Sequence, residues 1–447
     1  MTRGLFGTSG IRGDSEKLFT NQFCFDIGRT FAKFLTQNGE EGAVATGMDP
    51  RGSSPRIKEA IEAGLTNEGR EVYDQGATSV PSMCFVLLVS DYYSSSIMVS
   101  GSHIQANLNG IKFFAFNEEI LKKHEKEIES IYASLKDKVI FKEGEEYEIH
   151  NENRAKDEYL EMLVKLANGS FPNWKVVVDA GDGAQSDTMP YVLKRLGINV
   201  IEQNTTIQGE FYARDTEHKP DMMGLIMTVK KEKADFGIGY DADGDRVVFV
   251  DENSEFIPGD YSATLIAKYI KGDSVVTPIS TSQVVDHLEK KVYRTKVGAP
   301  YVIEKMKTTG SAIGFEPNGG CIFPEILMTR DGGSTTIKLL NILKKKNKSL
   351  SKLISELPKF YSFKDKIQYK WEQQDVILKE AKSRFKAIKI DERDGLKMWL
   401  DQTTWILFRS SQNAPEFRIF TESDSETKAE SLFQKGTSLV KDIIKRD

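Results

Sequence analysis

Short apolar runs alternate with amphipathic stretches along the whole chain, as at Val44 to Thr46, Ser96 to Val99, Val176 to Val178, Phe236 to Tyr240 and Val275 to Pro278. A short apolar run suits a strand buried on both faces, and an amphipathic stretch suits a helix that covers it. The rhythm therefore predicts α/β units with largely parallel sheets. Asn173 to Gly197 gives one unit in full: a strand ending at Asp179, a tight turn through Gly181 and Gly183, and a helix closing at Gly197. The next strand follows at once, at Asn199 to Glu202. The same strand, glycine turn and helix recurs near Asp49 and near Glu316, which predicts related modules without an exact repeat period.

At 447 residues the chain is too long for one ordinary core and should divide into about three or four domains. Boundaries are expected near 150, 255 and 365, giving units 1–150, 151–255, 256–365 and 366–447. Phe141 to Arg154 is charged and poor in apolar residues, as a linker would be. The tail from Lys366 reads as a mixed sheet and helix, ending in a helix over Glu426 to Arg446.

Composition excludes several function classes. Hydrophobic residues at 39% and charged residues at 28% fit a soluble globular chain rather than a disordered one. A net charge of -5 offers no basic footprint for nucleic acid, so any anionic ligand must be held by a local cluster. Met1 to Gly13 lacks an apolar signal core, and no run approaches the roughly 20 apolar residues of a membrane span, so no membrane partner is expected. Cys24, Cys84 and Cys321 are scattered without metal spacing and read as free thiols in a reducing, cytoplasmic setting.

Five clusters carry candidate chemistry. Asp241, Asp243 and Asp245 alternate through Asp-Ala-Asp-Gly-Asp-Arg between two apolar strands, Phe236 to Tyr240 and Val247 to Val250. Such carboxylates can converge on one hard cation, which offsets their repulsion. A calcium loop would put Asp241 at position one and Glu252 at position twelve, but Arg246 stands where that loop needs glycine. A merely solvated acidic turn is the remaining alternative. Ser100, Gly101, Ser102 and His103 follow the strand Ile97 to Val99, with Lys112 downstream. A serine at a strand end beside glycine is expected to be exposed for attack or phosphorylation, although Ser-His pairs often only cap a turn. Gly7 to Gly13, with Arg12, and Arg409 to Asn413, followed by Arg418, offer anion pockets or plain turns. Glu316 and Asn318 put a carboxylate and an amide on a tight loop suited to sugar hydroxyls, or to an ordinary turn.

Together these segments resemble the α-D-phosphohexomutase superfamily, which includes phosphoglucomutase, phosphomannomutase and phosphoglucosamine mutase. The resemblance rests on six ordered motifs: Phe6 to Gly13 (FGTSGIRG), Ser100 to Lys112 (SGSHIQANLNGIK), Asp241 to Arg246 (DADGDR), Thr295 to Gly298 (TKVG), Gly314 to Gly320 (GFEPNGG) and Arg409 to Arg418 (RSSQNAPEFR). It implies four domains around a central cleft, three similar α/β domains and a smaller C-terminal α+β one. By the same resemblance Ser102 is the phosphorylated serine, and Asp241, Asp243 and Asp245 hold Mg²⁺. Arg12, His103 and Lys112 fall where family members contact the phosphoserine or move protons. Lys296, Glu316 and Asn318 fall among substrate-binding positions, and Arg409, Ser411, Gln412, Asn413 and Arg418 at the loop that grips the non-reacting phosphate.

The implied reaction interconverts hexose 6-phosphate and hexose 1-phosphate, with a hexose 1,6-bisphosphate as intermediate and activator, in a monomer or homodimer. Three departures stand out. Ile104 and Gln105 replace the usual Asn-Pro of the serine loop, Gln412 to Pro415 replace Gly-Thr-Glu-Pro, and Gly320 stands where several members carry histidine. The Gly-Ser-His-Ile, Glu-x-Asn-Gly-Gly and Asn-Ala-Pro-Glu combination is similar to the phosphomannomutase branch. Mannose is thus the favoured sugar, with glucose accepted. The alternatives are a phosphoglucomutase, a phosphoglucosamine mutase, a metal-dependent phosphatase and a non-catalytic sugar-phosphate-binding relative.

Overall fold

A computed structural model of the chain describes residues 4–7, 9–207, 213–411 and 415–445. Four sheets follow one another along the sequence. Each strand expected from an apolar run is present, often a residue or two longer: Ala43–Met48, Tyr93–Val99, Lys175–Asp179, Phe236–Tyr240 and Ser274–Pro278.

The first three sheets share one plan. A founding strand (Ala43–Met48, Lys175–Asp179 or Ser274–Pro278) has a parallel neighbour on each side. One of those neighbours (Tyr93–Val99, Phe236–Tyr240 or Ile313–Phe315) then turns back into an antiparallel strand: Leu108–Ala115, Val247–Val250 or Cys321–Phe323. The sheets are therefore mixed rather than largely parallel. A hairpin return needs only a short loop, whereas a parallel crossover needs a helix.

This plan corrects one expectation. The loop after Glu316 leads into the strand Cys321–Phe323, not into a helix. The third counterpart of Asp49 and Asp179 is instead Ile279, just past Ser274–Pro278 and before the short 3₁₀ turn Gln283–His287. Corrected in this way, the repeat places residues 100–107, 241–246 and 316–320 at one position in three units, the link between a parallel strand and its antiparallel return.

The fourth sheet is wholly antiparallel, in the order Tyr361–Gln368, Glu416–Ser423, Trp405–Ser410, Leu396–Trp399, Lys389–Asp391. Its first strand begins ahead of residue 365. The helix Glu426–Ile444 packs on the strands Tyr361–Gln368 and Glu416–Ser423, capped by the Ser425 side chain. Arg446, the expected end of that helix, lies outside the described residues.

The first and fourth sheets each have a core, one continuous apolar cluster from Tyr159 to Phe360 underlies the second and third, and smaller clusters join the first sheet to Leu327 and Ile279 to Trp405 and Leu407. Charged contacts tie the units together: Lys307 to Glu118, and Lys364 to Glu217 at 3.0 Å. The three cysteines are free and buried. Among the described residues no helix is long and apolar enough to cross a membrane.

Candidate active site

The serine loop is set by a residue that sequence reasoning left aside. Arg51 is fully buried. Its Nε donates to both Asp49 oxygens at 3.0 Å, its Nη1 to the Leu108 carbonyl at 2.6 Å and its Nη2 to the Ser102 carbonyl at 2.9 Å. A Cβ on Gly101 would lie 2.2 Å from Arg51 Nη1, so a larger residue there would have to displace that guanidinium. Ser100 Oγ lies between Asp49 Oδ2 (2.7 Å) and Asp243 Oδ2 (2.9 Å), and it accepts the Ser102 N–H at 2.8 Å.

These bonds hold Ser102 at φ 55°, a left-handed conformation that costs a non-glycine residue on the order of 1 kcal/mol and persists only where its surroundings dictate it. Ser102 is not exposed, as its strand-end position had suggested. It is fully buried because the Asp241 loop closes over it. Its Oγ donates to Asp241 Oδ2 at 2.7 Å, with His103 Nδ1 3.4 Å away.

The acidic loop is gripped by all three related units. The Asp243 carbonyl accepts Val80 N–H at 2.9 Å, the Ala242 carbonyl accepts Ala184 N–H at 2.8 Å, and the Gly244 carbonyl accepts Gly332 N–H at 3.3 Å. Asp241, Asp243 and Asp245 are buried, with a carboxylate oxygen from each within 4.8 Å of the others. Lys112 Nζ reaches Asp243 Oδ2 (2.7 Å) and Asp245 Oδ2 (3.0 Å), and Arg330 Nη2 reaches Asp245 Oδ2 (2.7 Å).

The Oδ1 atoms of Asp243 and Asp245 are buried without a hydrogen-bond partner. Burial and the other two carboxylates push Asp241 well above the usual range. Burial acts the same way on Asp245, but Arg330, Lys112 and Arg246 outweigh it and hold that carboxyl low.

Two orphaned oxygens beside a carboxylate shared with Ser102 fit one hard divalent cation. Each outer oxygen of Asp243 and Asp245 is already engaged, so each residue offers one ligand atom. That suits the small, octahedral Mg²⁺ better than Ca²⁺, which takes six to eight oxygens and often binds carboxylates with both. The calcium-loop reading fails directly, because Glu252 turns away to accept the Ser351 hydroxyl at 2.5 Å.

Cations surround the cluster. Burial would lower Lys112, but Asp243 and Asp245 keep it raised, so it is an ammonium. Arg12 is carried by Ile11–Asp14, which pairs with Lys112's strand; burial and Arg246 bring it down to about 10. His103 is held well below its ordinary value by burial and by Arg246, Arg12 and Arg418.

Arg330 was not singled out from the sequence, yet it joins two of the loops. Its Nη1 donates to Glu316 Oε2 at 2.9 Å while its Nη2 holds Asp245. Only its setting just ahead of the Asp331 helix cap could have marked it. Glu316 Oε1 accepts Gly298 N–H at 2.9 Å, and the Asn318 carbonyl accepts the Thr216 hydroxyl at 3.1 Å. A Cβ on Gly320 would stand 2.2 Å from the Asp245 carbonyl, so a histidine there has no room in this packing.

The residues expected in the phosphate loop come from the fourth unit, and of these Arg418 reaches the cluster electrostatically through His103. Arg409 and Arg418 face each other across antiparallel strands, and Arg418 Nε is buried without a hydrogen-bond partner. Two guanidiniums in register repel unless an anion lies between them. Ser411 is buried and donates its N–H to the Glu416 carbonyl at 2.8 Å. Lys296 Nζ lies 5.9 Å from the centre of the Tyr301 ring, on the loop whose Gly298 holds Glu316. Gln412, Asn413 and Ala414, and Thr8 of the N-terminal motif, lie outside the described residues.

Three segments match, in chain order, the successive domains of one family. Residues 3–138, 157–255 and 258–361 match the phosphoglucomutase/phosphomannomutase α/β/α domains I, II and III. The chain is an enzyme of the phosphotransferase mutase class, and it belongs to the phosphoglucomutase/phosphomannomutase family of the α-D-phosphohexomutase superfamily. It is 36% identical to a "Phosphoglucomutase/phosphomannomutase" of Thermococcus kodakarensis, over 99% of both chains. It is 30% identical to a "Probable phosphoglucosamine mutase" of Methanopyrus kandleri, over 98% of both. A phosphoglucomutase/phosphomannomutase family protein from Burkholderia thailandensis superposes with a TM-score of 0.81 at 23% identity, over 99% of this chain and 97% of that one, a likeness of fold.

Proposed function

We propose that this enzyme interconverts hexose 6-phosphate and hexose 1-phosphate, favouring mannose and accepting glucose, by way of a phosphoryl group carried on Ser102. The observation that carries this reading is the Ser102 Oγ to Asp241 Oδ2 bond of 2.7 Å beside two buried carboxylate oxygens that accept no hydrogen bond. Bound there by Asp241, Asp243 and Asp245, Mg²⁺ would neutralise the phosphoserine and polarise it toward attack.

The chain's own groups supply the rest. A substrate hydroxyl attacks the phosphorus, the bond to Ser102 Oγ breaks, and that oxygen leaves. The proton the hydroxyl gives up is balanced by the one Ser102 Oγ takes up as it leaves, and His103, a neutral imidazole 3.4 Å from that leaving oxygen, is placed to deliver it there. Lys112 is already an ammonium and contributes charge, as do Arg12 and Arg246. The bisphosphate then turns and returns its other phosphoryl group, while Arg409, Ser411 and Arg418, with Gln412 and Asn413, hold the phosphate that is not reacting. Glu316, Asn318 and Lys296 read the sugar. Each Glu316 oxygen keeps a lone pair beyond its Gly298 or Arg330 bond, enough for a substrate hydroxyl.

This reading also takes the four domains to be 1–150, 151–255, 256–365 and 366–447, a cytoplasmic monomer or homodimer, and a hexose 1,6-bisphosphate as activator. The relatives named phosphoglucosamine mutase give one specific reason for a second sugar, glucosamine. A coupled assay with mannose 1-phosphate, glucose 1-phosphate and glucosamine 1-phosphate, each primed with bisphosphate and Mg²⁺, decides between them. No turnover of any of the three would sink the reading, and release of free phosphate would replace it with a phosphatase.

A further inference from the structure

Arg409 has one engaged nitrogen among the described residues. Its Nε donates to Asp394 Oδ2 at 2.8 Å, and neither Nη1 nor Nη2 has a hydrogen-bond partner among those residues. The same Asp394 oxygen accepts the Val297 N–H, also at 2.8 Å, from the loop of the third unit that carries Lys296. Asp394 lies on the turn between Lys389–Asp391 and Leu396–Trp399. That turn is pressed hard against the strand bearing Arg409, since a Cβ on Gly395, at φ 85°, would lie 2.3 Å from the Phe408 carbonyl. One residue beyond Val297, Gly298 N–H holds Glu316.

A guanidinium held at Nε presents its two terminal nitrogens as a fork, the geometry that grips a phosphate with two bonds. Because the restraining oxygen is shared with Val297, the fork has a fixed relation to the loop that holds the sugar-facing carboxylate.

We propose that Asp394 is the positioning residue of the phosphate grip: it orients the Arg409 fork and locks it to the Lys296–Gly298 loop, so that the distance between grip and sugar loop is set by one carboxylate. This rests on the reading of Arg409 as a substrate-phosphate ligand. Asp394 touches no substrate itself, and its loss should weaken holding more than chemistry.

The test compares Asp394→Ala and Asp394→Asn in the wild-type and Arg409→Lys backgrounds, following KM and kcat for the best hexose 1-phosphate, its Kd by calorimetry, and Tm. Asp394→Ala should raise KM and Kd about 10- to 100-fold with kcat within about threefold. Asp394→Asn keeps the acceptor without the charge and should give a smaller rise. A lysine needs no Nε clamp, so in the Arg409→Lys background Asp394→Ala should keep only the smaller loss that comes from freeing Val297, at most about threefold in Kd. Unchanged Kd in Asp394→Ala, or the full loss persisting in Arg409→Lys, overturns the proposal. If Asp394→Ala fails to fold, Asp394→Asn carries the same comparison. Hexose phosphate binding that responds in this way without wild-type turnover would uphold Asp394 and sink the mutase assignment instead.

Discussion

Arg330 offers a test in which metal binding and turnover should move in opposite directions. Its Nη2 lies 2.7 Å from Asp245 Oδ2, on the far side of the carboxylate from Oδ1, which accepts no hydrogen bond and has Arg246 Nε at 3.7 Å. An ion about 2.1 Å from Oδ1 would stand roughly 6 Å from the guanidinium. A single positive charge at that distance from a dication costs about 1.4 kcal/mol at water-like screening and about 2.8 kcal/mol at half that dielectric. Arg330→Met should therefore tighten Mg²⁺ binding about 10- to 100-fold.

The same substitution strips Glu316 and Asp245 of a charged hydrogen bond each, worth about 1.5–3 kcal/mol apiece, and kcat/KM should fall by about 10- to 1000-fold. Arg330→Lys keeps the charge but loses the fork, so its metal affinity should stay near wild type while turnover still falls. Calorimetric Mg²⁺ titration, Mn²⁺ resonance spectra and steady-state rates read the two effects, with Tm as a control on folding. Metal affinity that falls in step with turnover would refute the reasoning and make Arg330 an organiser of the acidic loop rather than its counter-charge.

Ser102→Ala should abolish turnover, and incubation with glucose 1,6-bisphosphate should leave a phosphate adduct on wild type only, read by intact mass; an adduct on the variant would place the carrier elsewhere. A chelator should stop activity and Mg²⁺ restore it; full activity of Asp243→Asn under chelator would remove the metal assignment. Glu316 and Asn318 are suited to hydroxyls that glucose and mannose share, so kcat/KM for those sugars should differ by roughly 10- to 100-fold and galactose 1-phosphate should be much poorer; galactose matching mannose would unseat the sugar-loop assignment. Burial and Glu422 raise Asp260 to about 7, so the folded state binds its proton more tightly and stability falls as pH rises from about 4 to about 7. Asp260→Asn should remove that slope and add on the order of 2 kcal/mol at pH 8, a value reduced for the side chain's partial contact with solvent; parallel Tm profiles from pH 5 to 9 would contradict it.

The strands were legible because apolar runs such as Val176 to Val178 must be buried whatever surrounds them. The acidic triad was legible for the opposite reason, since three close carboxylates need an explanation wherever they occur. Arg51 and Arg330 were not legible, because a buried arginine is recognised only by the carbonyls and carboxylates that meet it, and those come from distant segments. The burial of Ser102 was missed on the same ground: nothing near residue 102 announces that a loop from the second unit will cover it. The repeat was misplaced at Glu316 because a strand ending in a glycine turn looks alike whether a helix or a hairpin follows. Direction of return is a property of the sheet, and only pairing reveals it.

That shared position also explains how so much charge can be buried in one place. Each related unit delivers its loop at the point where a parallel strand gives way to an antiparallel one, and the three loops meet so closely that the backbone of one supplies the hydrogen bonds of the next. Asp241, Asp243, Asp245 and Glu316 are set there against Arg12, Lys112, Arg246 and Arg330; burial favours a proton on Asp241, and once that carboxyl is ionised by a bound cation the four acids match the four bases. A phosphoserine dianion and a Mg²⁺ dication together would leave that balance unchanged, whereas either alone would leave charge buried without compensation, at a cost of several kcal/mol. On this argument the metal and the phosphoryl group each stabilise the binding of the other. A resting state that carried both would then be the electrostatically quiet one, from which phosphoryl transfer to a neutral hydroxyl would move charge between partners already in place.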